Sequence, residues 1–381
     1  MANRKRIGII FNFNKIWLGG AYYVQNIMKS LDYLEDSEKP EIIIFYKKEL
    51  SRFVENINYP YLKIVPWKFS SIYTGYFLSW VLRKNIFVNK IIKKFDLDGI
   101  YPLYEHPIKN KDVKKTKLVA WFPDLQHKFY PKYFNKINLF LREERVKMIV
   151  RNASILVVSS EDVANNFKKL YKLPKRLKIH VLPFVSMINN FSFDNFSELK
   201  QKYNLPNNYF IVSNQFYEHK NHITVFKALS FLKDKGTDVH VVFTGKMEDY
   251  RNPIFIDKLK KEIDDNEISE MMSFLGVIPR DEQLCLMKNA DAIIQPSLFE
   301  GWSTVIEDAK SLQVPVISSN IAVHKEQLKK NGIYFNPLDE EGLAEILSTF
   351  IKSDNRVYYE EYEKRVLKFA ENFNSIFDNK K

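Results

Sequence analysis

The segment PSLFEGWSTVIEDAKSLQVPVISS, residues 296–319, follows an apolar strand pattern and combines a flexible turn with a helix start. Gly301 gives the backbone the freedom to turn, and Ser303 or Thr304 can cap the helix that begins there. The amide groups of Ser303, Thr304 and Val305 are then expected to point out of the helix start. An anionic group such as a diphosphate is held favourably at that position.

Three acidic residues surround this predicted helix start. Glu300 lies just before the helix and Asp308 about one turn inside it, so both carboxylates can face one site. This combination suits a nucleotide sugar, because sugar and ribose hydroxyls need strong acceptors whereas phosphates need amide donors. Glu307 has a structural alternative, since Thr304 and Glu307 have the spacing of a capping box, in which the glutamate folds back onto the helix start.

The segment EGWSTVIEDAKSLQVPVIS resembles the donor-site signature of the family 4 retaining glycosyltransferases, the glycosyl transferases group 1. The resemblance implies an α/β GT-B fold, in which two Rossmann-like, doubly wound domains face a central cleft. The family signature has two Glu separated by seven residues, and these positions are Glu300 and Asp308 here. The resemblance therefore implies that Glu300 contacts the donor sugar and that Asp308, or the adjacent Glu307, contacts the ribose.

A second segment, VSNQFYEHKNHITVFKAL (212–229), is similar to the family loop that binds the donor diphosphate. Relatives have an Arg and, five residues later, a Lys, and here these positions are Gln215 and Lys220. A neutral amide can hydrogen-bond a phosphate without neutralising its charge, so we expect Lys220 to balance more of that charge. The donor-binding residues that the resemblance implies are Gln215, Lys220, Gly245, Glu300, Gly301, Trp302, Ser303, Thr304, Val305, Glu307 and Asp308.

The first half of the chain has a glycine pair, Gly19 and Gly20, between the first strand pattern and a helix pattern that starts at Ala21. A backbone without Cβ atoms can approach a ligand closely. The resemblance implies that this loop contacts donor phosphate or acceptor, and a tight turn without any ligand is the alternative.

The segment AWFPDLQHKFYPKYF (120–134) resembles the family segment that places a His-Asp pair near the acceptor. Asp124 matches the Asp, Pro123 occupies the His position, and His127 is a possible substitute. A retaining enzyme does not need this base, because the departing phosphate oxygen can accept the proton of the acceptor. The predicted catalytic residues are Glu300, Lys220, His127 and Asp124.

Apolar runs of strand length alternate with helical patterns along the chain, as in parallel sheets covered by helices on both faces. The predicted strands are RIGIIFN, EIIIFY, LKIVPW, LDGIYPL, KLVAWF, ILVVSS and KIHVLPF in the first half, and YFIVSN, VHVVFTG, MSFLG, DAIIQPS, VPVISS and GIYFNP in the second. We predict an acceptor-binding domain over 1–185, a polar linker over 186–205, a nucleotide-sugar domain over 206–355 and a closing helix over 356–381.

Composition restricts the possible partners and location. The net charge of +12 favours anionic partners. The single cysteine, Cys285, excludes an internal disulfide and is expected in the core. No run approaches the roughly 20 apolar residues that span a membrane, so we expect a cytoplasmic protein. The 30 Phe and 21 Tyr are explained by biased codon usage as well as by a sugar-binding or membrane-facing surface.

The segment 71–95 alternates apolar and aromatic residues with basic ones at helical spacing: Arg83, Lys84, Lys90, Lys93 and Lys94. We predict one amphipathic helix that packs on its own sheet and exposes a basic face. The alternative is peripheral contact with an anionic membrane, at the inner face of the plasma membrane.

The resemblance implies a metal-independent hexosyltransferase without a cofactor, which transfers a sugar from a nucleotide-diphosphate sugar to a saccharide or lipid-linked acceptor in bacterial surface polysaccharide synthesis. A GT-B epimerase or hydrolase of nucleotide sugars is the nearest alternative. A basic binding protein without enzymatic activity is a further one, although no recognised nucleic-acid module is present and no nucleic-acid partner is expected. A dinucleotide-dependent oxidoreductase is disfavoured, because no G-x-G-x-x-G follows the first strand.

Overall fold

The chain forms two compact units, each built on its own parallel sheet. The computed structural model describes residues 4–13, 18–82, 84–103, 116–188, 191, 195–249, 252–350 and 357–378. Unit 1 comprises Met1–Met187 and Glu361–Lys381, and unit 2 comprises Ile188–Glu360. All thirteen predicted strands form, and the predicted doubly wound α/β architecture is confirmed.

Unit 1 has a seven-stranded sheet with helices on both faces. Its strands are β1 (Arg6–Phe11), β2 (Glu41–Tyr46), β3 (Leu62–Pro66), β4 (Gly99–Leu103), β5 (Lys117–Trp121), β6 (Ile155–Val158) and β7 (Lys178–Val181). Its helices are α1 (Leu18–Leu31), α2 (Ile72–Leu82), α3 (Ile86–Lys94), α4 (Gln126–Phe129), α5 (Lys136–Asn152), α6 (Glu161–Leu170) and the C-terminal α14 (Tyr362–Ser375). The strand order is β3-β2-β1-β4-β5-β6-β7, and all neighbours are parallel.

Alternate strand residues of unit 1 separate its helices between the two sheet faces. Ile42 and Ile44 belong to the core formed with α1 and α14, whereas Ile43 and Phe45 belong to the core formed with α3. The register pairs Ile100 of β4 with Leu118 of β5, and Ala120 with Leu156 of β6. Because side chains in paired positions share a face, α3, α5 and α6 cover one face and α1 and α14 the other.

Unit 2 has a six-stranded parallel sheet. Its strands are β8 (Phe210–Ser213), β9 (Val241–Thr244), β10 (Met272–Gly276), β11 (Ile293–Gln295), β12 (Val316–Ser319) and β13 (Gly332–Phe335). Its helices are α7 (Phe196–Lys202), α8 (His222–Asp234), α9 (Pro253–Asp265), α10 (Arg280–Asn289), α11 (Thr304–Leu312), α12 (Ala322–Leu328) and α13 (Glu340–Thr349). The strand order is β10-β9-β8-β11-β12-β13, so the order reverses between β8 and β11.

Two elements differ from the sequence prediction. The predicted linker contains α7, whose Leu199 is buried in the core of unit 2, so this part of the chain is packed. The predicted helix over 71–95 is divided into α2 and α3, because Asn85 caps α3 by accepting a hydrogen bond from the Phe87 amide at 3.2 Å. The helix α14 (Tyr362–Ser375) lies within the predicted closing segment 356–381, and it packs within unit 1.

Within the described part of the chain, none of the helices combines the length and the apolar character that crossing a bilayer requires. Cys285 is fully buried in α10, as expected.

The packing of α14 on the first sheet gives a stability prediction. Phe373 is fully buried and its ring lies 5.6 Å from that of Tyr101. Phe373→Ala is expected to lower the free energy of unfolding of unit 1 by about 3–5 kcal/mol, through lost burial and the cavity left behind. Phe77→Ala, at a side chain that is 64% exposed, is expected to cost under about 0.5 kcal/mol. If urea unfolding showed that Phe373→Ala and Phe77→Ala lower the free energy of unfolding equally, this would contradict the packing of α14.

Candidate active site

Two loops meet where the strand order of unit 2 reverses, between the carboxyl ends of β8 and β11. Such a reversal opens a crevice in which ligands of doubly wound sheets bind. The loop after β8 reaches α8 through a short 3-10 turn, Glu218–Lys220, and the loop after β11 reaches α11. The carbonyl oxygen of His219 accepts a hydrogen bond from the Leu298 amide at 2.8 Å, which joins the two loops.

An ion pair between Lys220 and Glu300 lies at this junction. The Lys220 Nζ and Glu300 Oε1 atoms are 2.5 Å apart, and the two side chains are 17% and 11% exposed. The same carboxylate oxygen accepts hydrogen bonds from Gln295 Nε2 at 3.0 Å and Ser297 Oγ at 2.8 Å. The structure therefore brings together the two residues that the sequence predicts most firmly, although they are 80 positions apart.

Gln295 and Ser297 were not among the predicted site residues. Gln295 is fully buried at the end of β11, and its Oε1 accepts a hydrogen bond from Asn214 Nδ2 at 2.8 Å. This bond fixes the amide so that its NH₂ group faces Glu300. A polar residue that ends a buried apolar strand was the available sequence signal.

The helix α11 begins as predicted, but its first amides have different partners. Ser303 is the cap, since its Oγ accepts a hydrogen bond from the Ile306 amide at 3.3 Å. The Ser303 amide donates to Gln327 Oε1 at 2.9 Å, which corrects the prediction that this amide points out toward an anion. Thr304 and Val305 lie in the first turn, where amides have no acceptor within the helix.

The predicted capping box does not form. A capping box needs a Glu or Gln three residues after the N-cap. Because Ser303 is the N-cap of α11, that position is Ile306, and Glu307 is one residue further along the helix. The buried Glu307 carboxylate instead accepts hydrogen bonds from Lys310 Nζ at 2.9 Å and Gln327 Nε2 at 3.0 Å. Glu307 therefore helps to hold α12 against α11.

Asp308 is also buried, and it forms an ion pair with Arg280 at the start of α10. Arg280 Nη1 donates to Gln283 Oε1 at 2.8 Å, and Gln283 Nε2 donates to Ser213 Oγ at 2.5 Å. A chain of polar contacts thus extends from α11 to the end of β8. Trp302 is half-buried, with Lys310 Nζ 6.0 Å from its ring centroid, and Gly301 is half-buried beside it.

Gln215 and Gly245 form the neighbouring side of the β8 loop. The exposed Gln215 accepts a hydrogen bond at its Oε1 from the Lys246 amide at 3.0 Å. Gly245 has φ +117°, and a Cβ atom there would lie 2.2 Å from the Asn214 carbonyl oxygen. Only glycine therefore lets the loop after β9 approach the loop after β8 so closely.

His324, in the loop-facing end of α12, is a buried residue that sequence reasoning did not single out. Its Nδ1 lies 3.0 Å from both the hydroxyl and the carbonyl oxygen of Ser319. Burial lowers the pKa of His324 to about 4, while the Glu300 charge raises it and the Lys220 charge lowers it. His324 is therefore a neutral imidazole at pH 7, within electrostatic reach of the Lys220–Glu300 pair.

The remaining predicted residues lie in unit 1. Asp124 Oδ1 accepts a hydrogen bond from the Gln126 amide at 2.8 Å and lies 3.5 Å from Arg142 Nη2. His127 is buried in α4, with its Nε2 3.4 Å from Glu143 Oε2. Burial, reinforced by the Arg142 charge, lowers the pKa of His127 to about 4, so it is neutral at pH 7.

Gly19 and Gly20 lie inside the first turn of α1, which begins at Leu18, and not in a loop before the helix. Residues 14–17, the rest of the predicted glycine loop, lie outside the described residues. Among the side chains that the structure describes, no cluster of three or more His, Cys, Asp or Glu has the arrangement of a metal site.

Known proteins resemble this chain in sequence and in fold. The sequence model of the family described as "Glycosyl transferases group 1" matches residues 195–370. The O-antigen chain mannosyltransferase RfbU of Salmonella typhimurium is 26% identical over 220 residues, which are 57% of this chain and 56% of that relative. The chain thus spans a little over half the length of this curated relative.

Two solved structures superpose on almost the whole chain. The Anabaena protein HepE, crystallised in complex with UDP and glucose, has a TM-score of 0.64 at 18% identity, covering 98% of this chain and 95% of that one. Sucrose-phosphate synthase from Thermosynechococcus elongatus has a TM-score of 0.67 at 13% identity, covering 98% of both chains. These likenesses confirm the predicted GT-B fold.

The positive φ of Gly245 gives a test of the loop geometry. Gly245→Ala is expected to cost at least about 2 kcal/mol of stability, because it adds a backbone clash to the strain of a left-handed residue. Gly236 is the matched control: it has φ +65° with nothing within 4 Å of its Cβ position, so Gly236→Ala is expected to cost only about 1 kcal/mol. Urea unfolding of both variants checks the difference, and equal costs would show that the close approach at Asn214 is absent.

Proposed function

We propose that this protein is a retaining glycosyltransferase, because the sequence model of the glycosyl transferases group 1 family matches residues 195–370. It transfers a hexose from a nucleotide-diphosphate sugar to a saccharide or lipid-linked acceptor. The observation that supports this most directly is the Lys220–Glu300 ion pair where the strand order of unit 2 reverses. A cation for the diphosphate and a carboxylate for the sugar hydroxyls lie there side by side.

Donor binding is proposed to exchange the partners of this ion pair. The diphosphate takes the place of Glu300 at the Lys220 ammonium group and adds the first-turn amides of Thr304 and Val305. Glu300 keeps its hydrogen bonds from Gln295 and Ser297 and accepts hydrogen bonds from the donor sugar. The carboxylate therefore stays in place while its cation moves to the leaving group.

The same groups stabilise the transition state. Negative charge grows on the departing diphosphate as the glycosidic bond to the sugar breaks, and Lys220 and the helix start are already oriented toward that charge. Gln215 contributes hydrogen bonds without charge. In a retaining reaction the departing phosphate oxygen accepts the acceptor proton, so His127 and Asp124 remain predicted acceptor-side residues and are not required as the base.

Asp308 is the proposed ribose-binding acid. Its pairing with Arg280 fixes the carboxylate near the end of β8, whereas Glu307 is bound to Lys310 and Gln327.

No metal ion or cofactor is part of the proposal, since Lys220 and the α11 start take the electrostatic role. The proposed setting is bacterial surface polysaccharide synthesis at the inner face of the plasma membrane, and the O-antigen role in the printed name of RfbU supports it.

Removing the Lys220 ammonium group tests the donor site. Lys220→Ala is expected to weaken binding of the preferred nucleoside diphosphate at least about tenfold, roughly 1.4 kcal/mol, and to leave binding of the nucleoside unchanged. Calorimetric titration and thermal shift with each nucleotide series measure this. Lys261→Ala is the control, at a Lys that is 76% exposed on α9. Tight diphosphate binding by Lys220→Ala, or binding of NAD in preference to any nucleoside diphosphate, would remove the basis of the proposal.

Removing the Glu300 charge separates binding from transfer. Glu300→Gln keeps the side-chain size and leaves Lys220 available to phosphate, so nucleoside diphosphate affinity is expected to be unchanged or higher. Sugar transfer is expected to fall at least about 100-fold, near 2.7 kcal/mol of activation free energy. Glu267→Gln, at an 85% exposed carboxylate, is expected to change neither.

Product analysis with and without acceptor distinguishes the proposed reaction from its alternative. A transferase forms a glycosylated acceptor only when acceptor is present. Release of free sugar, or an epimerised nucleotide sugar, at the same rate without acceptor would identify an epimerase or hydrolase instead.

A further inference from the structure

Exposed apolar side chains in unit 1 are concentrated in two segments. Seventeen large hydrophobic residues are exposed in the described part of the chain, and nine of them lie in just two stretches. The first stretch is α2, with Phe77, Leu78, Trp80, Val81 and Leu82, and the second runs from α4 into α5, with Phe129, Ile137, Phe140 and Leu141. Random exposure along the chain does not produce such clustering, so these two surfaces need an explanation.

The helix α2 has one face that is packed and one that is not. A Cβ atom on Gly75 would lie 2.4 Å from the Phe87 ring of α3, and Ser79 Oγ accepts a hydrogen bond from the Ile86 amide at 3.1 Å. On the other face, Trp80 is 75% exposed. The eleven residues of α2 include no charged side chain. The exposed face of α2 is therefore apolar.

The start of α5 is similar. Only the later part of this helix reaches the core, through Val146, Ile149 and Val150. In the first two turns Ile137 is 72% exposed and Phe140 is 64% exposed.

Both apolar segments lie in stretches without acidic residues. Residues 56–95 contain no Asp or Glu and seven basic residues: Lys63, Lys68, Arg83, Lys84, Lys90, Lys93 and Lys94. Residues 125–142 contain no Asp or Glu and four basic residues: Lys128, Lys132, Lys136 and Arg142. Apolar side chains in stretches that contain basic but no acidic residues are complementary to a surface with an apolar interior and an anionic boundary.

Both segments follow the carboxyl ends of strands of the first sheet, and both lie on the same face of that sheet. The chain enters α2 from the carboxyl end of β3, and it enters α4 and α5 from the carboxyl end of β5. The helices α3 and α5 cover the same face of the sheet, as the register of β4, β5 and β6 requires. A single flat partner can therefore contact both.

We propose that α2 and the α4–α5 segment together form a docking surface for an anionic lipid bilayer. Phe77, Trp80, Ile137 and Phe140 enter the boundary between headgroups and acyl chains, and the basic residues contact anionic headgroups. An eleven-residue helix is about 16 Å long, so α2 lies in the interface. Exposed aliphatic side chains favour lipid over nucleic acid, which offers them no apolar contact.

The proposal deepens the proposed function, on which it rests for its purpose: a lipid-linked acceptor would be presented at this bilayer. The surface belongs to unit 1, whereas the proposed donor residues belong to unit 2. The two ideas therefore fail separately. Vesicle binding without nucleotide binding would refute the transferase and leave the docking surface, and the reverse result would refute only the docking surface.

Vesicle flotation of the full chain tests the surface. The probes are vesicles of phosphatidylcholine alone and of phosphatidylcholine with 30–40% phosphatidylglycerol, roughly the anionic fraction that recruits basic amphipathic surfaces. Wild type is expected to float with the anionic vesicles, to bind the neutral ones at least about tenfold more weakly, and to be released by about 0.5 M salt. Equal binding to both vesicle types, or to neither, overturns the proposal.

Paired substitutions test whether both segments take part. F77S with W80S, and separately I137S with F140S, are each expected to raise the anionic lipid concentration for half-maximal binding at least about tenfold. I254S is the matched control, because Ile254 is 78% exposed on α9 of unit 2, and it is expected to bind as wild type. All variants are expected to keep the urea-unfolding midpoint of the wild type, which shows that they fold.

Two results would contradict the shared surface. If either double variant binds the anionic vesicles as strongly as the wild type, the segment that carries those substitutions is not part of the docking surface. A wild-type dimer that F77S with W80S converts to a monomer, without any change in vesicle binding, would show that α2 contacts a second copy of the chain.

Discussion

The ion pair between Lys220 and Glu300 is the contact on which the site in unit 2 depends. Neither side chain is more than 17% exposed, and a charge removed from water needs a partner or it becomes costly. The loop after β8 supplies the cation and the loop after β11 supplies the anion, so each charge offsets the cost of removing the other from water. The two loops are also joined at their backbones, by the hydrogen bond from the Leu298 amide to the His219 carbonyl oxygen.

The support behind the ion pair is polar and directional. Asn214 orients Gln295, and Gln295 and Ser297 orient Glu300. In the proposed donor complex the carboxylate would keep these two hydrogen bonds when Lys220 changes partner. Glu300 would then not have to reorganise as the charged ligand enters, which is a condition for preorganised catalysis.

The sequence predicts the fold well because strand and helix patterns are local. All thirteen strands appear where apolar runs indicate them, and Lys220 and Glu300 meet because parallel strands bring their carboxyl ends to one edge. The boundary of α2 and α3 was missed, since Asn85 acts as a cap inside a continuous helical pattern of apolar and basic residues. The capping box at Glu307 was wrong by one residue, because Ser303 and Thr304 are equally good caps in sequence.

The parts of the site that were missed depend on contacts distant in sequence. Gln327 on α12 binds the Ser303 amide, and Arg280 on α10 binds Asp308, and no local pattern relates these residues. His324 was missed because an isolated histidine in a helix pattern gives no sign that it is buried beside a charged pair. Contacts between helices that are distant in sequence thus determine which amides at the start of α11 remain available to a ligand and which acid is paired with a cation.

The aromatic content of the chain has two components that the structure separates. Many aromatic residues are buried in the cores or pack against them, where edge-to-face pairs such as Phe45 with Phe95 contribute to packing. Biased codon usage is sufficient to explain an excess of that kind. It does not explain why exposed aromatics occur beside exposed aliphatics in stretches without a single acid. Exposed apolar side chains that are grouped in stretches with basic but no acidic residues fit the proposed partner, which is both apolar and anionic.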